Sequence, residues 1–442
     1  MWPRTEPRRP LRARARAFSR PDRRRHDDRH HDDRHHDDRH HDDSECSVSK
    51  FSSTEVIGRP NTRSRQRGAA YWRELDWVLL VAALATTIFG SILVWSASRS
   101  DMASASDPQS YLKRHLVNVA VGIGLGFLAS RIDYRWLRAY TPIIYGLSVF
   151  TLLLPFVPGI GARIAGARAW IDLPGGFTLQ PSEFAKIAVI LMMAAVLSEK
   201  QDSESEPRDS EVFVSLGVAA LPLLIILVQN DTGTVLILAS VALSIIAVSG
   251  ARTRWVIGLI AGAVASIMVA IQLGLLKEYQ VARLTSFINP SADASSGAWN
   301  ANQARIAIGG GGMTGYGLFE GPQTQGSFVP VNESDFIFTV VGEELGFIGA
   351  IVLIVLLGVI LARGILIALR ADDLYGRLVA TGVVAWLAFQ MFENIGMSIG
   401  IMPITGIPLP FVSAGGTSMM ACWVAVGLLE NVRLHGTRKS FA

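Results

Sequence analysis

Cysteine and histidine are the scarce reactive residues of this chain, and their scarcity removes several classes of chemistry. Only Cys46 and Cys422 occur, one in a polar N-terminal stretch and one inside an apolar run. A pair so separated implies neither a disulfide framework nor a thiolate metal site. Seven of the nine histidines lie before residue 42, leaving His115 and His435 for the rest of the chain. A histidine base or multi-histidine metal centre is therefore not expected, and no cofactor is required. No Gly-x-x-x-x-Gly-Lys-Ser/Thr loop is present, so nucleotide hydrolysis is not expected either. The Arg-rich start is followed by no apolar core before residue 77, unlike a secretory signal. Proton transfer falls to carboxylates, chiefly Asp172, Glu183, Asp231, Asp293, Glu320, Glu333 and Asp335.

What the chain has in abundance is apolar length. Half of its 442 residues are hydrophobic, and stretches such as Trp77 to Trp95 and Phe336 to Leu361 carry almost no charge. A helix of roughly 20 apolar residues crosses the hydrocarbon core. Runs of that kind predict an all-α polytopic membrane protein with about ten transmembrane helices, near 77–97, 115–130, 139–157, 184–198, 213–229, 232–249, 256–275, 336–362, 377–399 and 417–431. Lys and Arg are retained on the cytoplasmic side. The Arg-rich tail, with Arg131, Arg135, Arg138, Arg252, Arg254, Arg363, Arg370, Arg377, Arg433, Arg438 and Lys439, then sets both termini inside. The loops 98–114, 158–183, 277–335 and 400–416 face out, and no nucleic-acid partner is expected.

Residues 1–71 are a different material. An Arg-His-His-Asp-Asp repeat runs from about Arg29 to Asp43 with no apolar face, which predicts a disordered cytoplasmic tail. Its histidines either bind metal or belong to a solvated tract, and its first arginines suit anionic lipid headgroups. Residues 72–435 form the membrane domain, and 436–442 a short cytoplasmic tail.

The large outer loop between spans seven and eight, 277–335, is where polar chemistry is concentrated. It holds Asp293 amid Arg283, Arg305 and the run Gly309 to Gly312, which is either an amide-rich anion nest or a flexible connection. Irregular backbone of this length lives in water or a protein-lined cavity, where ionisable groups are tolerated. Basic residues on the outer face, Arg163, Arg168, Lys186, Arg283 and Arg305, point to an anionic ligand. Gln180-Pro181-Ser182-Glu183-Phe184-Ala185-Lys186 reads as a helix N-terminus with Glu183 at the positive end of the dipole. Lys186, inside the span, must pair with Glu183, snorkel or line a polar cavity. Gln229 to Thr234 joins two spans by a tight turn, with Asp231 as a candidate cap. Met402 to Ser418, punctuated by three prolines and three glycines, cannot be a plain helix. It lines a cavity or packs as a re-entrant loop.

Taken in order, Gly166-Ala167-Arg168-Ala169-Trp170, Gln180 to Lys186, Asn289-Pro290-Ser291-Ala292-Asp293, Ser334-Asp335-Phe336-Ile337-Phe338 with Gly342-Glu343-Glu344-Leu345-Gly346, and Pro403 to Ser418 resemble the SEDS family (shape, elongation, division, sporulation) of ten-span bacterial proteins. The likeness covers nearly all of the chain from about residue 72. Gly406 to Phe411 and Phe328-Val329-Pro330 are more similar to the elongation branch, RodA, than to the division branch, FtsW. The resemblance implies a peptidoglycan glycosyltransferase that polymerises lipid II on the outer face of the cytoplasmic membrane during cell elongation, in complex with a class B penicillin-binding protein. It carries the family's essential acidic residue onto Asp293, as general base for the acceptor hydroxyl, and substrate contacts onto Arg283, Gln303, Arg168, Lys186 and Glu183. A divalent cation to neutralise pyrophosphate is compatible with this chemistry. Trp299, Ala304 and the pair Asp293-Ala294 depart from the family's usual Tyr, Ser and Asp-Pro, which bears on local loop geometry. A lipid-linked precursor flippase, a division-type polymerase and a noncatalytic cell-wall scaffold remain the rival readings.

Overall fold

The computed structural model describes residues 71–99, 110–164, 166–174, 177–199, 207–274, 281 and 296–436. In chain order the helices are α1 (Trp77–Ala97), α2 (Ser110–Arg131) and α3 (Tyr134–Leu153), followed by strands β1 (Gly161–Ile164), β2 (Ala167–Leu173) and β3 (Phe177–Leu179). Then come α4 (Pro181–Leu197), α5 (Asp209–Val228), α6 (Thr232–Val248), α7 (Thr253–Gln272), α8 (Ser296–Gly310), α9 (Pro322–Gln325) and α10 (Ile337–Val340). A π-helical turn (Val341–Leu345) leads into α11 (Gly346–Arg370), α12 (Leu374–Ile399) and α13 (Gly416–Gly436).

A long helix overlaps each expected span. Among the described residues seven helical segments are long and apolar enough to cross a membrane, and α6 is apolar but shorter at 17 residues. The chain is a mostly helical, multi-pass membrane protein. Several helix starts follow from local chemistry. The carboxylates of Asp76, Asp133 and Asp231 accept backbone amides of α1, α3 and α6, and Pro181 takes the first position of α4, where no amide partner is needed. Gly400 ends α12 in the left-handed region, φ 82°.

One part of the segment 158–183 is not helical. Strands β1, β2 and β3 form an antiparallel sheet in sequence order, with Ala162 opposite Trp170 and Ile171 opposite Leu179. Strands this short leave little periodicity in the sequence. The interior is formed chiefly by α4, α6, α12 and α13, with Trp386 and Tyr375 fully buried on α12. By contrast, α7 buries none of its residues, as suits an apolar helix surrounded by lipid.

Where α1 begins and α11 and α13 end, four charged groups lock three helices together. Asp76, 2% exposed, takes Nε and Nη2 of Arg363 at 2.9 and 2.6 Å on Oδ2 and lies 3.3 Å from Nη1 of Arg433. The Glu430 carboxylate accepts the Asp76 amide through both oxygens at 3.1 Å. Removing one member of a buried ion pair leaves an uncompensated charge. Arg363→Ala is expected to cost roughly 3 kcal/mol of stability, measured by unfolding of the detergent-solubilised chain. A loss below about 1 kcal/mol would reduce the cluster to the worth of a surface ion pair.

Candidate functional site

The site begins with backbone that has left the helix. After Gly400 the chain runs through Pro403, Pro408 and Pro410, which cannot donate to a helical ladder, yet Ile407, Leu409, Phe411 and Val412 are all buried. Side chains of α12 and of the segment itself satisfy its freed groups. Asn394 Nδ2 donates to the carbonyls of Ile407 and Asp335, both at 2.7 Å. Gln390 Nε2 donates to the carbonyl of Pro408 at 2.8 Å. Ser413 accepts the Leu409 amide at 2.7 Å and donates to the carbonyl of Ser334 at 2.6 Å. The fit against α1 is close, since a Cβ on Gly90 would lie 2.5 Å from Val412 Cα. The segment is thus a packed floor joined to the residues just before α10.

Beneath that floor lies Lys186, without solvent exposure. Its Nζ is 2.9 Å from Glu183 Oε1 and 3.1 Å from Gln390 Oε1, and lies over the Trp386 ring at 4.5 Å. Trp386 Nε1 donates to the same Gln390 oxygen at 2.6 Å. Of the three options open to a lysine inside a span, pairing is what the structure shows. Gln390 thereby ties the lysine of α4 to the floor through one amide. The start of α4 is held on two further sides. Gln180 Nε2 and the Thr234 hydroxyl donate to Asp231 Oδ2 at 3.0 and 2.8 Å. The Thr417 hydroxyl accepts the Gln180 amide at 3.0 Å and donates to the Thr178 carbonyl at 3.2 Å. Asp231 caps α6 and also binds α4 to it.

The helical part of the large loop packs on the same region. Gln303 is buried on α8, and the Arg305 guanidinium reaches the Gly400 carbonyl at 3.5 Å. Gly311 abuts the π turn so closely that a Cβ would sit 1.9 Å from the Gly342 carbonyl oxygen. The Tyr316 and Gly317 amides donate to the Glu343 and Glu344 carbonyls, each at 3.0 Å. The end of the glycine run is therefore a packed turn on the start of α11, and close backbone approach accounts for Gly311. Glu343 caps α9 by accepting the Gln323 and Thr324 amides at 2.6 and 2.9 Å, while Glu344 accepts the Ser96 hydroxyl at 2.6 Å. Both carboxylates tie the eighth expected span to its neighbours.

Of the candidate residues, Glu183 and Lys186 are brought together. Arg168 is exposed on β2, with its amide donating to the Gln229 carbonyl at 3.1 Å. Asp293 and Arg283 lie outside the described residues, as does the N-terminal repeat. Gln390 and Asn394 were not singled out from the sequence, although amides within an apolar span are a signal of an internal polar network. Gln390→Leu is expected to cost roughly 3 kcal/mol, because Lys186, Trp386 and Pro408 each lose a buried partner. Denaturant unfolding checks this, and a loss under about 1 kcal/mol would mean that the network reorganises around the gap.

Comparison with known proteins gives this arrangement a family. The profile of the FtsW, RodA and SpoVE family, described as cell cycle proteins, matches residues 76–438. A protein of Geobacter metallireducens named probable peptidoglycan glycosyltransferase FtsW is 40% identical over 82% of this chain and 96% of its own length. Peptidoglycan glycosyltransferase MrdB of Escherichia coli K12 is 33% identical over 82% of this chain and 94% of its own. A solved chain described under structural coordination of polymerization and crosslinking by a peptidoglycan synthase complex superposes with a TM-score of 0.68 at 27% identity, covering 82% of this chain and 99% of that one. The FtsW-named relative thus shares more identity than the MrdB-named one, against the lean toward the elongation branch drawn from Gly406 to Phe411 and Phe328 to Pro330. With a profile match running from the Asp76 cap through the Gln180 to Lys186 motif to the end of α13, the chain belongs to the FtsW, RodA and SpoVE family, the SEDS family whose motifs it carries.

Proposed function

We propose that this chain is a peptidoglycan glycosyltransferase that polymerises lipid II on the outer face of the bacterial cytoplasmic membrane. The observation that carries the reading is the 40% identity, over nearly the full length of the relative, to a protein named for that activity. The Arg and Lys distribution supports cytoplasmic termini and an outward-facing loop 277–335. A class B penicillin-binding protein is the proposed partner, supported by likeness to a chain from a synthase complex that coordinates polymerization with crosslinking.

In this mechanism Asp293 removes the proton of the acceptor sugar hydroxyl as the oxygen attacks the anomeric carbon of the donor. The polyprenyl diphosphate departs with the bonding electron pair and needs no proton, because cationic side chains stabilise its charge. One displacement inverts an α-linked donor to a β-linked product. Arg283 is assigned to the diphosphate or to orienting Asp293, and Gln303, Arg168, Lys186 and Glu183 to substrate binding. Lys186 reaches a ligand only if its hold on Glu183 and Gln390 loosens, since its side chain is enclosed. A divalent cation at the diphosphate is compatible with the scheme. The higher identity to the FtsW-named relative favours a role in division over one in elongation.

Glycan formation from lipid II by the purified full chain, alone and with its cognate penicillin-binding protein, tests the reading. Asp293→Asn is expected to lower the rate by about 100-fold or more while leaving folding and partner binding intact. Equal rates would remove Asp293 as the base, and no polymer under any condition would favour a flippase or a scaffold.

A further inference from the structure

The sheet β1 to β3 enters the scheme above only through Arg168, and its two faces differ in kind. In a strand, successive side chains point to opposite faces. Along β2, Ala169 and Ile171 are buried, whereas Arg168 and Asp172 are exposed and Trp170 between them is half-buried. Pairing extends both faces sideways. Leu179 opposes Ile171 on the face turned to the protein, and Thr178 opposes Asp172 on the other, where it too is exposed. Ala162 opposes Trp170. Cross-strand partners have Cβ atoms about 5 Å apart, and same-face neighbours on one strand lie about 7 Å apart. Register thus sets one indole among a guanidinium, a carboxylate and a hydroxyl, beside an alanine too small to cover it.

These groups are not used by the fold. Among the described residues no side-chain hydrogen bond, ion pair or ring contact engages Arg168, Trp170, Asp172 or Thr178. The backbone that carries them is nevertheless fixed. The Arg168 amide donates to the Gln229 carbonyl at 3.1 Å, and the Thr178 carbonyl accepts the Thr417 hydroxyl at 3.2 Å. Gly161 of β1 sits so close to the end of α3 that a Cβ would lie 1.9 Å from the Pro155 carbonyl oxygen. The sheet is held from three sides and presents its polar face ready-made, which lowers the cost of binding.

Chemistry narrows the ligand. A sugar ring is amphipathic, with C–H bonds on its faces and hydroxyls or amides at its edge. A rigid indole matches such a face at low conformational cost. Carboxylate, guanidinium and hydroxyl together supply the acceptors and donors that the edge needs. An anionic lipid or a nucleic acid calls for cations, and Asp172 opposes both. From Arg168 to Asp172 the strand runs about 13 Å, which suits a short run of sugars rather than one ring. An open face also lets a polymer slide, as a closed pocket does not.

We propose that Arg168, Trp170, Asp172 and Thr178 form a surface subsite for a glycan chain of β-linked amino sugars, with Trp170 stacking on a sugar ring. The proposal rests on the polymerase reading for the identity of that polymer, and it gives the assignment of Arg168 to substrate binding a definite ligand.

The test is equilibrium binding of fluorescently labelled, lipid-free peptidoglycan oligosaccharides to the purified full chain. The native chain is expected to bind them saturably, Trp170→Ala about tenfold more weakly, and Trp170→Phe, which keeps an aromatic face, within about threefold of native. No saturable binding by the native chain overturns the proposal, as does equal binding by a folded Trp170→Ala. If that variant does not fold, the double variant Asp172→Ala with Thr178→Ala, both at exposed positions, decides: weaker binding supports the subsite and equal binding refutes it. The readout needs no catalysis. A chain that makes no polymer yet binds glycan through Trp170 keeps the subsite and loses the polymerase reading, and the reverse result does the opposite.

Discussion

Backbone that abandons the helix inside a membrane protein must find its hydrogen bonds within the protein, and segment 401–415 finds many of them on one face of α12. Gln390 and Asn394 supply three amide hydrogen bonds to carbonyls of the segment and of the loop before α10, and Ser413 closes the turn from within. Without those amides, three prolines and a run of buried apolar side chains could not coexist at this depth. The packing of Gly90 on Val412 and of Gly233 on Ile407 depends on the segment keeping this course.

The same helix face reaches the lysine. Because Gln390 holds both Lys186 and the Pro408 carbonyl, a displacement of the floor is felt at the ion pair of α4. Through Thr417 and Asp231 the start of α4 is in turn bound to α13 and α6. The loop side of the bundle is thus one connected polar network set in an apolar frame. The helical part of the large loop rests on it through Arg305 and Gly400. A group-transfer site built here has a stiff base and a loop above it, as a reaction that must admit a long lipid-linked donor and release a polymer requires. The clustered charges at the opposite end, around Asp76 and Glu430, fix where α1, α11 and α13 meet and leave the loop side free to specialise.

The helical frame was legible in the sequence because apolar length is a strong signal. Proline at the start of α4 and aspartate before α6 marked their ends by a local mechanism. The bond between Glu183 and Lys186 was readable too, since a lysine inside a span needs a partner and three-residue spacing provides one. The sheet β1 to β3 was not legible, because strands of three to seven residues among glycines carry no clear alternation. Nor was the π turn at Val341–Leu345, whose geometry goes with the close seat of Gly311 on Gly342 rather than with its own composition. Gln390 and Asn394 stood in the sequence as two polar residues within an apolar run. Their roles became visible only when the broken segment was laid against them.

Under the proposed function the loop side, floored by 401–415, receives a lipid-linked diphosphate sugar. The most direct measurement is an experimental structure of the full chain bound to a non-transferable analogue of that donor. Diphosphate density is expected on the loop side, against the floor segment 401–415. Density confined to the end near Asp76 and Glu430, or to the outer surface of α7, would contradict it.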